Sequence, residues 1–118
     1  MNFIFIGSVL AAIAVLLGSF GAHVLKGVLD DYGKSIFNTA TLYHMFHTFA
    51  IIIIGILEQI LPNQSLKIPG FLFFIGIILF SGSLYLLSIT QIKWLGMITP
   101  IGGTCFLLGW IILAYYFI

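Results

Sequence analysis

The chain has 118 residues, 62% of them hydrophobic, with four lysines, three acidic residues and a net charge of +1. That length is one domain, and its apolar share exceeds the roughly 45–50% of soluble domains. Seven charges cannot cover the surface of a small soluble protein, and so weak a charge with no basic run gives no ground for a nucleic-acid partner.

Lipid is therefore the expected solvent for most of the chain. The charges divide it into uncharged blocks: Asn2 to Ala22, Ser35 to Leu57, Ile68 to Ile92 and Trp94 to Ile118. Each is long enough to cross a hydrocarbon core of about 30 Å as a helix. The ten-residue alternation of a membrane barrel is absent. The predicted architecture is all-α: a single domain, residues 1–118, forming an integral membrane bundle of four transmembrane helices. The spans fall near 3–22, 41–61, 69–90 and 95–117.

The first block lacks the basic start of a signal peptide and has a longer apolar core, so it reads as a retained span. Gly7, Ala11, Ala14, Gly18 and Ala22 recur along it at spacings of three and four, a flat seam that lets another helix approach closely. Gly21 extends the seam towards its tip. Phe20 projects away from it, and His23 closes the span. The link that follows is the longest. Its second half carries Ile36, Phe37, Ala40 and Tyr43 or His44 on one face, as a short interfacial amphipathic helix or an early start of span two. Asp30 and Asp31 are suited to cap that helix.

Span two opens with Tyr43, His44 and His47. His44 and His47 share a face, and His47 lies deep enough that it should face the bundle interior. His44 is expected at the headgroups. "PNQSLKIPG", Pro62 to Gly70, is a turn-rich loop. Span three carries Gly76, Ser81, Gly82 and Ser83, and ends at Thr90 and Gln91. A tight link at Lys93 leads to span four, with Thr99 and Pro100 in its first turn and Gly96, Gly102, Gly103 and Gly109 along it. Pro100 belongs at the start of a helix, where its missing N–H is harmless. Cys105, the only cysteine, excludes an internal disulfide and reads as a packing residue.

Lys26, Lys34 and Lys93 fall on one side of this arrangement and Lys67 on the other. The lysine bias puts the first and third links in the cytoplasm and both termini outside.

Three motifs resemble one family. "GSFGAHVLKG" is similar to the G-A-F-G-A-H-G-L motif of a group of small bacterial membrane proteins. "ATLYHMFHTFAIIIIG" is similar to their second-span pattern A-x-x-Y-x-x-x-H-x-x-A, and "FSGSLYLLSITQIKWLGMITPIGGTCFLLGW" to their third and fourth spans. The chain resembles the YgdD/YwdK-like proteins, domain-of-unknown-function family 423, over nearly its whole length. The resemblance implies a four-helix protein of the plasma membrane. It places motif positions at Phe20, Gly21, Ala22, His23, Tyr43, His47, Gly82, Ser83, Thr99, Pro100, Gly102 and Gly103. Relatives carry glutamine where His44 stands, which weighs against a three-histidine metal site. Val24 replaces the motif's glycine, so the helix is expected to run further past His23. The family brings no established activity.

No nucleophile motif, phosphate loop, cysteine cluster or midplane carboxylate appears. The expected function is therefore non-enzymatic and without a cofactor. It is a structural or assembly protein packing through the seams of Gly18, Gly21, Ala22, Gly82, Ser83, Gly102 and Gly103, as a homo-oligomer or with another membrane protein. Two alternatives stand beside it. One is a transporter or channel for a small molecule or ion, with a polar vestibule of His23, Tyr43, His47, Gln91 and Thr99. The other is a haem or metal binder using His23, His44 and His47. His47 is expected to bond to span one, three or four, with His23, Ser88, Gln91 and Thr99 as candidates and Phe20 as a shield.

Overall fold

Capping sets where the first two helices begin. Asn2 is extended, and its side chain accepts from the Phe5 N–H at 3.1 Å. Helix α1, Phe3–Gly21, follows, and a last turn, Ala22–Val24, carries it just past His23. Asp30 is also extended and accepts from the Gly33 N–H at 2.6 Å. It starts α2, Asp31–Ile60, as one continuous helix of 30 residues. At about 1.5 Å per residue that is about 45 Å, half as long again as the hydrocarbon core. The amphipathic stretch before span two is therefore its early start. Helix α3 is Lys67–Thr90, and α4 is Lys93–Tyr116. The structure, a computed structural model, describes residues 2–118, apart from the side chain of Ala22. The packing role expected of Ala22 lies outside the described side chains.

All four helices are long and apolar enough to cross a membrane. They pack chiefly in chain order, α1 on α2, α2 on α3 and α3 on α4. In lipid the drive for this is close van der Waals contact, since lipid tails are as apolar as the side chains. Glycines make that contact. A methyl on Gly55 would lie 2.8 Å from the backbone nitrogen of Ile4, and one on Gly7 would strike the side chain of Ile52. Gly102 lies directly against the backbone of Leu79 and Phe80, and Gly109 against the ring of Phe73. The main apolar core, with Phe3, Ile51, Ile54, Leu66, Phe73 and Phe106 among its buried members, joins all four helices.

Of the seven expected seam positions, two make tight helix contacts. Gly18 faces the Thr41 methyl group, where a Cβ would stand 3.1 Å away, and Gly102 faces α3. Around Gly21, Gly82 and Gly103 a methyl would meet only ordinary contacts, at 3.4 Å or more. Ser83 joins α3 to α4 through its hydroxyl, 2.6 Å from that of Thr99.

Two helices carry a π-helical turn, Leu16–Gly21 in α1 and Ile77–Ser81 in α3. Both face the same stretch of α2. Gly18 meets Thr41, Gly21 meets Phe37, and the Ser81 hydroxyl donates to the Ala40 carbonyl at 2.8 Å. Such turns re-aim the residues after them and often accompany function. Helix α3 ends at Gln91, in the left-handed conformation with φ 57°, the usual stop at this position. Helix α4 opens with the 3₁₀ turn Lys93–Met97 and continues as Thr99–Tyr116, with Pro100 in its first α-turn.

Candidate functional site

His47 is buried on α2, and both of its ring nitrogens are engaged. Nδ1 bonds to the Tyr43 carbonyl one turn back at 2.8 Å. Nε2 accepts from the indole N–H of Trp110 on α4 at 3.0 Å. An indole N–H can only donate and a carbonyl can only accept, so the ring is the neutral Nδ1–H tautomer. The imidazole lies flat on Phe106, with centroids 3.6 Å apart and planes 8° apart, and Phe73 and Phe46 border it. His47 thus faces the interior and bonds to span four, but its partner is not one of the polar candidates expected from the sequence.

These residues form the back wall of a groove between α2 and α4. It is lined by Leu42, Tyr43, Phe46, His47, Phe80, Gly103, Phe106, Leu107 and Trp110 and holds about 580 Å³. Its rim residues Leu42, Phe46 and Leu107 are exposed. Tyr43 packs its ring on Phe80 at 4.6 Å and stands at the groove's side.

His44 does not face the headgroups. It is buried, because α1 and α3 both cover that face of α2. Its Nδ1 lies 2.9 Å from the Tyr85 hydroxyl on α3, which reaches Thr41 at 3.5 Å, and Thr41 donates to the Phe37 carbonyl at 3.1 Å. This second polar cluster lies on another side of α2 from the His47 groove.

The five residues expected to share a vestibule do not meet in one place. Tyr43 and His47 are together at the groove. Thr99 pairs with Ser83. His23 is exposed at the end of α1, and Gln91 is exposed beyond α3. Gln91 instead borders a surface hollow of about 550 Å³ with Asp30, Tyr32, Ser88 and Lys93. Phe20 is 65% exposed and shields neither cluster. No three histidine, cysteine or acidic side chains lie close enough to hold a metal among the described residues.

Trp110, Tyr85 and Phe106 were not singled out from the sequence. Trp110 carried a signal. Tryptophan in a membrane helix favours the interface, and Trp110 lies well inside α4, where its N–H requires a partner. Tyr85 gave a weaker signal of the same kind in span three.

The model of a protein family described as a protein of unknown function, DUF423, matches residues 17–103. The chain belongs to this family. Among similar proteins, the UPF0382 membrane protein SAB0533 of Staphylococcus aureus is 49% identical over 94% of this chain and 90% of its own length. The UPF0382 membrane protein YwdK of Bacillus subtilis is 45% identical over 95% and 92%. No solved structure matches. The four apolar helices and the family agree that the chain is a membrane protein. The DUF423 match takes in the end of α1, all of α2 and α3, and α4 as far as Gly103. It therefore contains His47 and the buried His44 cluster and stops short of Trp110.

Proposed function

We propose that this is a non-enzymatic protein of the plasma membrane that acts by assembly, receiving a transmembrane helix of a second copy in the groove between α2 and α4. The groove itself is the observation that carries this reading. Gly7, Gly55, Gly102 and Gly109 are already pressed against neighbouring helices of the same chain. Gly103 differs: a methyl there would stand 3.7 Å from the Phe80 ring, on the floor of the open groove. A helix laid along Leu42, Phe46 and Leu107 would replace loosely packed lipid chains with shaped contact, the source of helix association in membranes. Its wall is held by the His47–Trp110 bond, which with the Tyr43 carbonyl engages both imidazole nitrogens and leaves neither free to act as a base, and this supports binding over catalysis. The transport reading has less support, because the residues proposed for its vestibule are dispersed.

Disulfide trapping tests this. In a Cys105→Ser background, Leu107→Cys or Leu42→Cys should give a covalent dimer on mild oxidation in native membranes. Val15→Cys on the outer face of α1 should not. Dimer from Val15→Cys alone would overturn the proposed surface. Crosslinking to a different protein in place of the dimer would replace the second copy by that partner.

The proposed orientation has both termini outside. Lys26, Lys34 and Lys93 lie at one end of the bundle and Lys67 at the other, and positive residues favour the cytoplasmic side.

A further inference from the structure

Two buried polar atoms, His44 Nε2 and Thr48 Oγ1, have no hydrogen-bond partner among the described residues. Both side chains are at least 98% buried, at 2% and 0% relative exposure. They stand four residues apart on one face of α2, where side chains are neighbours with Cβ atoms about 5–6 Å apart. The backbone of α1 covers them. The Leu10 carbonyl faces the His44 ring without completing a hydrogen bond, and Gly7 brings α1 close to the Thr48 carbonyl.

Among the described residues no other buried side-chain polar atom is left in this condition. His47 has both nitrogens paired, and Ser81, Ser83 and Ser88 each donate to a carbonyl. Inside a bilayer, bulk water cannot satisfy an orphaned polar atom. A side-chain hydroxyl and an imidazole nitrogen one turn apart on α2, beneath the α1 backbone, form a buried polar pair that the protein itself leaves unpartnered. Such groups are the usual partners of an internal water.

We propose that one water molecule is bound between α1 and α2, bridging His44 Nε2, Thr48 Oγ1 and the Leu10 carbonyl.

The chemistry of the site selects water over an ion. Thr41 uses its proton on the Phe37 carbonyl, so it can only accept from Tyr85. If Tyr85 donates to Thr41, then His44 Nδ1–H donates to Tyr85 and Nε2 is a bare acceptor. If Tyr85 donates to His44, Nε2 carries the proton instead. The occupant must therefore donate in one case and accept in the other, and no charged side chain balances an ion here. A small neutral molecule able to do both fits each tautomer. The hydrogen-bond chain ends at the Phe37 carbonyl, which accepts only. The bound water therefore fixes α1, α2 and α3 together and supplies no proton path along this chain.

Water-edited solid-state NMR on the full chain in lipid, with labelled histidine, tests the site using the protein's own histidines. Exposed His23 gives the wet reference and fully paired His47 the dry one. His44 should show transfer from water, building up more slowly than at His23, while His47 shows none. Thr48→Val, which removes only the hydroxyl, should abolish the His44 signal and shift its Nε2 resonance. Thr48→Ser should retain both. A His44 ring as dry as His47 in the wild-type chain overturns the proposal, as does a His44 signal that survives Thr48→Val. The wild-type comparison decides the matter even if the valine variant does not fold.

Discussion

The Trp110 indole donates to His47 Nε2 at 3.0 Å and joins α4 to α2, two helices whose principal neighbour in each case is α3. Phe106 lies flat beneath the same imidazole. One bond and one stacked ring therefore set the back wall of the groove.

Removing the indole donor tests how much that bond holds. Trp110→Phe keeps an aromatic ring and leaves Nε2 as a buried unpaired acceptor, at a cost of about 1–3 kcal/mol. The double variant with His47→Phe should lose less than the sum of the two single changes, since no orphaned nitrogen remains. Unfolding in mixed detergent micelles measures all three. Strict additivity would mean that the bond contributes nothing.

Adjacent glycines should respond unequally. A methyl at Gly102 would strike the backbone of Leu79 and Phe80, whereas one at Gly103 meets only the Phe80 ring at 3.7 Å. Gly102→Ala should cost roughly 1–3 kcal/mol by forcing α3 and α4 apart. Gly103→Ala should stay within about 0.5 kcal/mol of the parent chain, as substitutions away from such features do. Equal melting temperatures for the two variants would contradict the α3–α4 contact.

Gly18→Leu should destabilise the contact between α1 and α2. The Thr41 methyl already stands 3.1 Å from the first added carbon, and Thr41 itself bonds to Phe37 and Tyr85. Displacing it disturbs the His44 cluster as well as the helix contact. We expect a loss of about 1–3 kcal/mol, accompanied by a changed His44 ring resonance. An unchanged spectrum with full stability would show that α1 moves away freely.

Asp30→Ala removes the cap of α2. Loss of such a cap costs about 0.5–2 kcal/mol, and asparagine substitutes well for aspartate there. Fraying should appear as faster amide exchange at Gly33, with Asp30→Asn close to the parent. Equal exchange in all three proteins would place the helix start elsewhere.

Labelling fixes the orientation. A cysteine beside Lys93, in the Cys105→Ser background, should resist a membrane-impermeant maleimide in intact cells and react after lysis. Labelling from outside would invert the proposed topology.

Composition and charge spacing were enough for the four spans, because a bilayer accepts only long, uncharged, self-satisfied segments. The Asp30 cap of α2, the first-turn Pro100 and the inward-facing His47 follow from equally local rules. The partners of the histidines do not. Which residue reaches His47 depends on how far α4 is rotated about α3. That rotation is set by Gly76, Gly102 and Gly109 seating against Phe106, Phe80 and Phe73. Burial of His44 likewise needed α1 and α3 to cover one face of α2, beside two π-helical turns with no distinctive local sequence. Spacing along one helix says which side chains share a face. Which neighbour covers that face is decided only when the helices pack.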